Sequence, residues 1–316
     1  MSAPYPFRLI DHRRKEPLED PGLLLRRPFT ELKRSFKDDA RLFDPGDELE
    51  TAMNTALAVG LPLLLTGEPG TGKTQAAYYA AWKLGVEPVL HFQVKSDSTA
   101  RDLLYSFDAV EYFHDAHLEK TDKLPDKDKY VTRRELWEAL TSDHPRVLLI
   151  DEIDKAPRDF PNDLLHELDK MEFTVRETGK PVSAPAEMRP VVLITSNSER
   201  RLPEPFLRRC VYHHIQFDDK LARRAVEVRL ERGEYGNLSR EFLEMALQRF
   251  LALRERSLRK PPATGELLVW LRVLALAART SPVRLDERDL SKLPYLGALL
   301  KDHEDMESLK GARGRP

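Results

Sequence analysis

Leu61-Pro62-Leu63-Leu64-Leu65-Thr66 runs directly into Gly67-Glu68-Pro69-Gly70-Thr71-Gly72-Lys73-Thr74. The first six residues form an apolar run closed by a glycine, which suits a buried strand entering a tight loop. Downstream, Ala76, Ala77, Ala80, Ala81 and Leu84 recur at intervals of three and four, which predicts a helix over Lys73–Leu84. A glycine-rich loop between strand and helix lets the backbone amides from Gly70 to Thr74 converge on phosphate oxygens at the positive end of that helix. The spacing matches G-x-x-x-x-G-K-S/T. In that pattern Lys73 neutralises the β- and γ-phosphates of a nucleotide and the Thr74 hydroxyl is a magnesium ligand.

Apolar runs at Pro88–Val94, Arg146–Asp151, Pro190–Ser196 and Val211–Phe217 read as further buried strands, separated by segments that hold helices. That alternation predicts a three-layer α/β fold around a parallel sheet. Val147-Leu148-Leu149-Ile150 ends in two acids, Asp151 and Glu152. A strand terminus meeting water explains one acid but not both. Open α/β sheets gather ligands at this edge, where Asp151 suits the hydration shell of magnesium and Glu152 suits polarisation of an attacking water.

Thr195-Ser196-Asn197 closes a later strand. A loop asparagine is commonly a turn former; after the two acids, its carboxamide is expected between the water and the γ-phosphate as a polar sensor. Leu207-Arg208-Arg209-Cys210 follows. Paired arginines on a helix usually face solvent, whereas near the edge of an ATPase domain they can reach a neighbouring subunit's γ-phosphate.

Taken in order, Gly67–Thr74, Leu148-Leu149-Ile150-Asp151-Glu152-Ile153-Asp154-Lys155-Ala156, Thr195-Ser196-Asn197 and Leu202-Pro203-Glu204-Pro205-Phe206-Leu207-Arg208-Arg209-Cys210 resemble an AAA+ ATPase of the MoxR-like branch. The resemblance spans about residues 44 to 280. It implies ATP and Mg2+ as cofactors, a hexameric ring with ATP at subunit interfaces, and chaperone-like remodelling of a partner protein, often one with a von Willebrand factor A domain. By position Arg209 matches the family's trans-acting arginine, and Arg208 stands where the pattern has an acid. The usual Ser-Pro-Arg of the family's second sensor is replaced by Ala263-Thr264-Gly265-Glu266. A McrB-like nucleic-acid motor, a nucleotide-switched scaffold and a small-molecule kinase are the competing readings; the kinase needs neither a sensor asparagine nor trans arginines.

The expected organisation is an N-terminal arm over residues 1–43 with a short helix near Glu31–Phe43, an ATPase core over 44–218, an all-helical lid over 219–301, and a disordered tail over 302–316. Helical spacing places lid helices at Asp219–Arg232, Ser239–Glu255, Thr264–Arg279 and Leu285–Lys301. Residues 119–129 read as a charged, solvated loop and Glu172–Pro190 as a hairpin insertion. The 316 residues carry a formal charge of −2, which gives no bias toward nucleic acid. The single cysteine, Cys210, excludes an intrachain disulfide. No segment offers the roughly 20 apolar residues of a membrane span, and the N-terminus lacks a secretory apolar run, so a cytoplasmic location is expected.

Overall fold

The computed structural model describes Ile10 and residues 36–118, 124–285 and 289–311. The chain divides into two compact units. One covers Phe36–Gln216, and the other covers the described residues from Phe217 onward.

Nine strands lie among the described residues: β1 Leu63–Gly67, β2 Leu90–Gln93, β3 Tyr105–Phe107, β4 Val131–Arg133, β5 Val147–Asp151, β6 Glu172–Thr174, β7 Pro181–Ser183, β8 Val191–Ser196 and β9 Val211–Ile215. The five apolar runs of the sequence become one sheet in the order β2-β5-β8-β1-β9, with every pairing parallel. β1 and β5 are buried along their whole length, which is why they read as continuous apolar runs rather than alternating ones. Because all five strands run the same way, Gly67, Gln93, Asp151 and Ser196 end on one edge of the sheet.

The helix Lys73–Leu84 follows β1, as its alanine spacing requires, and ends at Gly85 in the left-handed region. Outside the sheet, β6 and β7 pair as the expected hairpin, while β3 and β4 form a second antiparallel pair. The helix Ala109–Leu118 lies between β3 and β4. Of the charged loop, residues 119–123 lie outside the described residues, and Lys127–Tyr130 forms a 3₁₀ turn rather than open loop. Tyr130 anchors that turn, buried and donating its hydroxyl to Asp115 Oδ2 at 2.8 Å.

The α/β unit starts earlier than residue 44. Phe36 stacks on Tyr78 with ring centroids 5.3 Å apart, and Phe43 meets Tyr79 edge-on at 5.6 Å. These rings tie Phe36–Phe43 to the helix after β1. Of the expected Glu31–Phe43 helix, Phe36–Asp39 is helical and residues 31–35 lie outside the described residues, as does the rest of the arm apart from Ile10.

The second unit packs three long helices, Asp219–Glu231, Arg240–Arg254 and Thr264–Ala278, around Leu243, Phe250, Trp270 and Leu274. Asp218 and Ser239 cap the first two through their side chains. The fourth expected helix is corrected. In place of a continuous Leu285–Lys301 there are two short turns, Leu290–Lys292 and Leu296–Leu299. Pro294 lies between them and supplies no amide to a helix.

The disordered tail is corrected as well, because His303–Gly311 is helical. Asp305, 2% exposed, accepts from the amides of Arg259 and Lys260 at 2.8 and 3.0 Å, and Met306 and Leu309 pack on the helical core. Residues 312–316 lie outside the described residues.

Trp270 is fully buried and donates its indole N–H to the Pro294 carbonyl at 2.7 Å. Trp270→Ala is expected to destabilise the helical unit by about 3–5 kcal/mol, through a cavity and a stranded carbonyl. Urea unfolding followed by far-ultraviolet circular dichroism measures this, and a loss below about 1 kcal/mol would contradict the packing described.

Candidate functional site

The glycine-rich loop closes tightly because its glycines adopt conformations that other residues resist. Gly67 has φ +149°, and a Cβ there would lie 2.5 Å from the Ile215 carbonyl oxygen. At Gly72, φ is +96° and a Cβ would meet the Phe43 ring at 2.7 Å. Within the loop Thr71 donates to the Glu68 carbonyl at 2.9 Å. Lys73 is buried and donates Nζ to the carbonyls of Gly67 and Glu68, each at 2.9 Å. Burial holds its pKa below the usual lysine value, opposed by the charges of Asp154, Asp151, Glu152 and Glu68.

Thr74, one residue on, donates to Asp151 Oδ1 and Oδ2 at 3.0 and 3.2 Å. Asp151 is 5% exposed at the end of β5. Thr195 donates to its Oδ1 at 2.5 Å, and His91 Nε2 lies 3.2 Å from Oδ2. Burial pushes the Asp151 pKa up, but the hydrogen bonds from His91, Thr195 and Thr74 prevail and hold it below the usual carboxylate value.

The backbone turns sharply at Glu152, whose φ and ψ of 61° and 50° lie in the left-handed region. Its amide donates to Thr195 Oγ1 at 2.8 Å, so one threonine hydroxyl joins the two neighbouring acids. The Glu152 carboxylate accepts from Gln93 Nε2 at 2.7 Å, from Lys155 Nζ, and from Asn197 Nδ2 at 3.3 Å. Asp154, 3% exposed, fixes the following loop by accepting from the amides of Asn197 and Glu199 at 3.2 and 2.9 Å.

Lys73, Thr74, Asp151, Glu152 and Asn197 therefore gather at one edge of the sheet. Arg208 and Arg209 do not join them. Arg209 donates Nε to Asp169 Oδ2 at 2.5 Å and Nη1 to the Pro205 carbonyl at 2.9 Å, while Arg208, 76% exposed, lies 3.5 Å from Glu204. His91, Gln93 and Asp154 belong to the site and were not singled out from the sequence. A signal existed in β2, where His91 and Gln93 are polar at alternate positions of a strand expected to be apolar.

Among the described residues no group of three His, Cys, Asp or Glu side chains gathers to hold a metal unaided. The hydroxyl of Thr74 beside the Asp151 carboxylate fits magnesium nonetheless, since that ion takes hard oxygen donors and completes its shell with phosphate and water.

Residues 62–210 match the AAA domain family, dynein-related subfamily. Those residues are an AAA domain. This bears out the AAA+ resemblance of the motifs. Protein CbbQ from Hydrogenophilus thermoluteolus is 40% identical over 62 residues, covering 20% of this chain and 22% of its own. The structure of NtrX from Brucella abortus in complex with ADP shares the fold with a TM-score of 0.51 at 16% identity, over 92% of this chain and 65% of NtrX. The chain thus spans about a fifth of the CbbQ sequence and under two thirds of NtrX. No helix among the described residues is long and apolar enough to cross a membrane.

Cys210 closes the turn of the AAA domain that carries the paired arginines. Burial first, and the Asp169 charge second, push its thiol up to about 12. At pH 8 the folded protein is therefore expected to react with a disulfide reagent roughly a thousandfold more slowly than the unfolded chain, following the thiolate fraction. Comparable rates before and after unfolding would contradict this burial.

Proposed function

We propose that this chain is a magnesium-dependent ATPase of the MoxR-like AAA+ kind, acting as a ring with ATP at subunit interfaces to remodel a partner protein. The observation that carries the catalytic part is the hydrogen-bonded set Thr74, Asp151, Thr195, Glu152 and Asn197, which joins the phosphate-binding loop to the ends of two strands. In this reading the amides of Gly70–Thr74, framed by Gly67, Glu68 and Pro69, cradle the phosphates, and Lys73 places its charge on the β- and γ-oxygens. Thr74 and Asp151 hold the magnesium, which supplies charge neutralisation during phosphoryl transfer.

Glu152 orients and polarises the attacking water, and Asn197 steadies it against the γ-phosphate. Arg209, with Arg208 beside it, acts on the ATP of an adjacent subunit. Support for this last role is geometric: neither guanidinium makes a described contact with its own chain's Lys73, Thr74, Asp151, Glu152 or Asn197. The ring, the remodelling role and a partner with a von Willebrand factor A domain rest on the family resemblance. A cytoplasmic location belongs to the same reading.

Glu152→Gln is expected to keep ATP binding and to lower turnover by about 10²- to 10⁴-fold, since the amide keeps the shape and loses the base. Phosphate release at saturating ATP measures it, and turnover near wild type would assign the water to another group.

Arg209→Ala is expected to lower turnover while ATP titration stays near wild type. Mixing it with Lys73→Ala should restore activity that neither variant shows alone, because mixed interfaces can pair an intact loop with an intact arginine. Mixed rings without recovered turnover would refute the shared site.

A further inference from the structure

We propose that His91, its ring fixed by Tyr78, is a positioning residue that holds Asp151 for magnesium. The proposal rests on the reading of Asp151 as the acid of the magnesium site and adds residues which that reading does not contain.

Thr74 and Tyr78 lie one helical turn apart on the helix after β1 and so share a face. Thr74 reaches Asp151 directly. Tyr78 reaches it through one intermediary: its hydroxyl lies 3.0 Å from His91 Nδ1, and His91 Nε2 lies 3.2 Å from Asp151 Oδ2. Proton counting gives this chain a direction. An ionised carboxylate only accepts, so Nε2 must carry the hydrogen, and in the neutral ring Nδ1 must then accept from the phenol. Tyr78 therefore selects the tautomer that can donate to Asp151.

The carboxylate is held from two sides without using Thr74. Thr195 donates to Oδ1 and His91 stands against Oδ2, which fixes its plane independently of the hydroxyl assigned to the ion. Tyr78 is held in turn. Its ring stacks on Phe36 with an interplanar angle of 24°, and neighbouring Gln75 donates to the Phe36 carbonyl at 2.8 Å. The Tyr78 phenol is kept in its protonated, donating form, raised above the usual value by burial and then by the Asp151 charge.

The test separates placing the ion from merely filling space. In His91→Leu, the Mg2+ concentration giving half-maximal ATP turnover is expected to rise about tenfold or more, the usual effect of removing a partner of a metal-binding group. Binding of trinitrophenyl-ATP in EDTA should stay within about twofold of wild type. His91→Gln, which keeps a side-chain N–H donor, should recover most of the shift, and Tyr78→Phe should move it in the direction of His91→Leu but less far. Independently of activity, the imidazole ¹⁵N shifts of the wild-type protein should report a hydrogen on Nε2.

A ring with no hydrogen on Nε2 overturns the proposal, as does a His91→Leu variant with unchanged Mg2+ requirement. If His91→Leu fails to fold, the Gln and Phe variants and the ¹⁵N spectrum decide the matter. Asp151→Asn is the control. An unchanged Mg2+ requirement there overturns the magnesium reading of Asp151 itself, whereas a shift in Asp151→Asn without one in His91→Leu overturns only the role of His91.

Discussion

Asp151 carries a carboxylate with 5% of its surface exposed, and a charge so placed persists only where donors replace the water it has lost. The donors come from three different elements. Thr74 arrives from the helix after β1, His91 from β2 and Thr195 from β8. Since β2 and β8 are the two neighbours of β5, the carboxylate ties together the strands on either side of it. A slip of one residue in either pairing would turn His91 or Thr195 to the opposite face of the sheet. Register and charge therefore require one another here.

The same edge shows where local preference has been overridden. Glu152 sits in the left-handed region, which costs a side-chain-bearing residue about 1 kcal/mol or more. Thr195 accepts from its amide, and Gln93, Lys155 and Asn197 donate to its carboxylate, so the surroundings over-determine an unfavourable backbone. The outcome is that two consecutive acids serve different neighbours. Asp151 faces Thr74, and Glu152 faces Asn197.

The sheet was legible because its three central strands, β5, β8 and β1, are largely buried and all five read as apolar runs bounded by turn residues. The phosphate-binding loop was legible because few sequences satisfy its glycine spacing between a strand and a helix. What escaped was held by polar pairing or by very short elements. Tyr105–Phe107 and Val131–Arg133 are too brief to show a period, although they pair with one another. Asp305 looked like part of a charged tail, and only the structure reveals that it satisfies the amides of Arg259 and Lys260. Leu285–Lys301 had helical spacing, but Pro294 divides it into two turns. Within the site, His91 and Gln93 were passed over because a strand reading attends to apolar positions, and Asp154 because its partners are backbone amides.

Arg209 is not a bare cation waiting for an anion. Asp169 already neutralises it at 2.5 Å, and the Pro205 carbonyl takes a second of its donors. Any phosphate it meets must compete with a carboxylate that would be left behind without its counter-ion. Engagement is thus an exchange of one anion for another, and its driving force is the difference between two charge-assisted contacts rather than the whole of either. Under the proposed trans role, that difference would shrink whenever the incoming group loses charge, and the arginine would then return to Asp169.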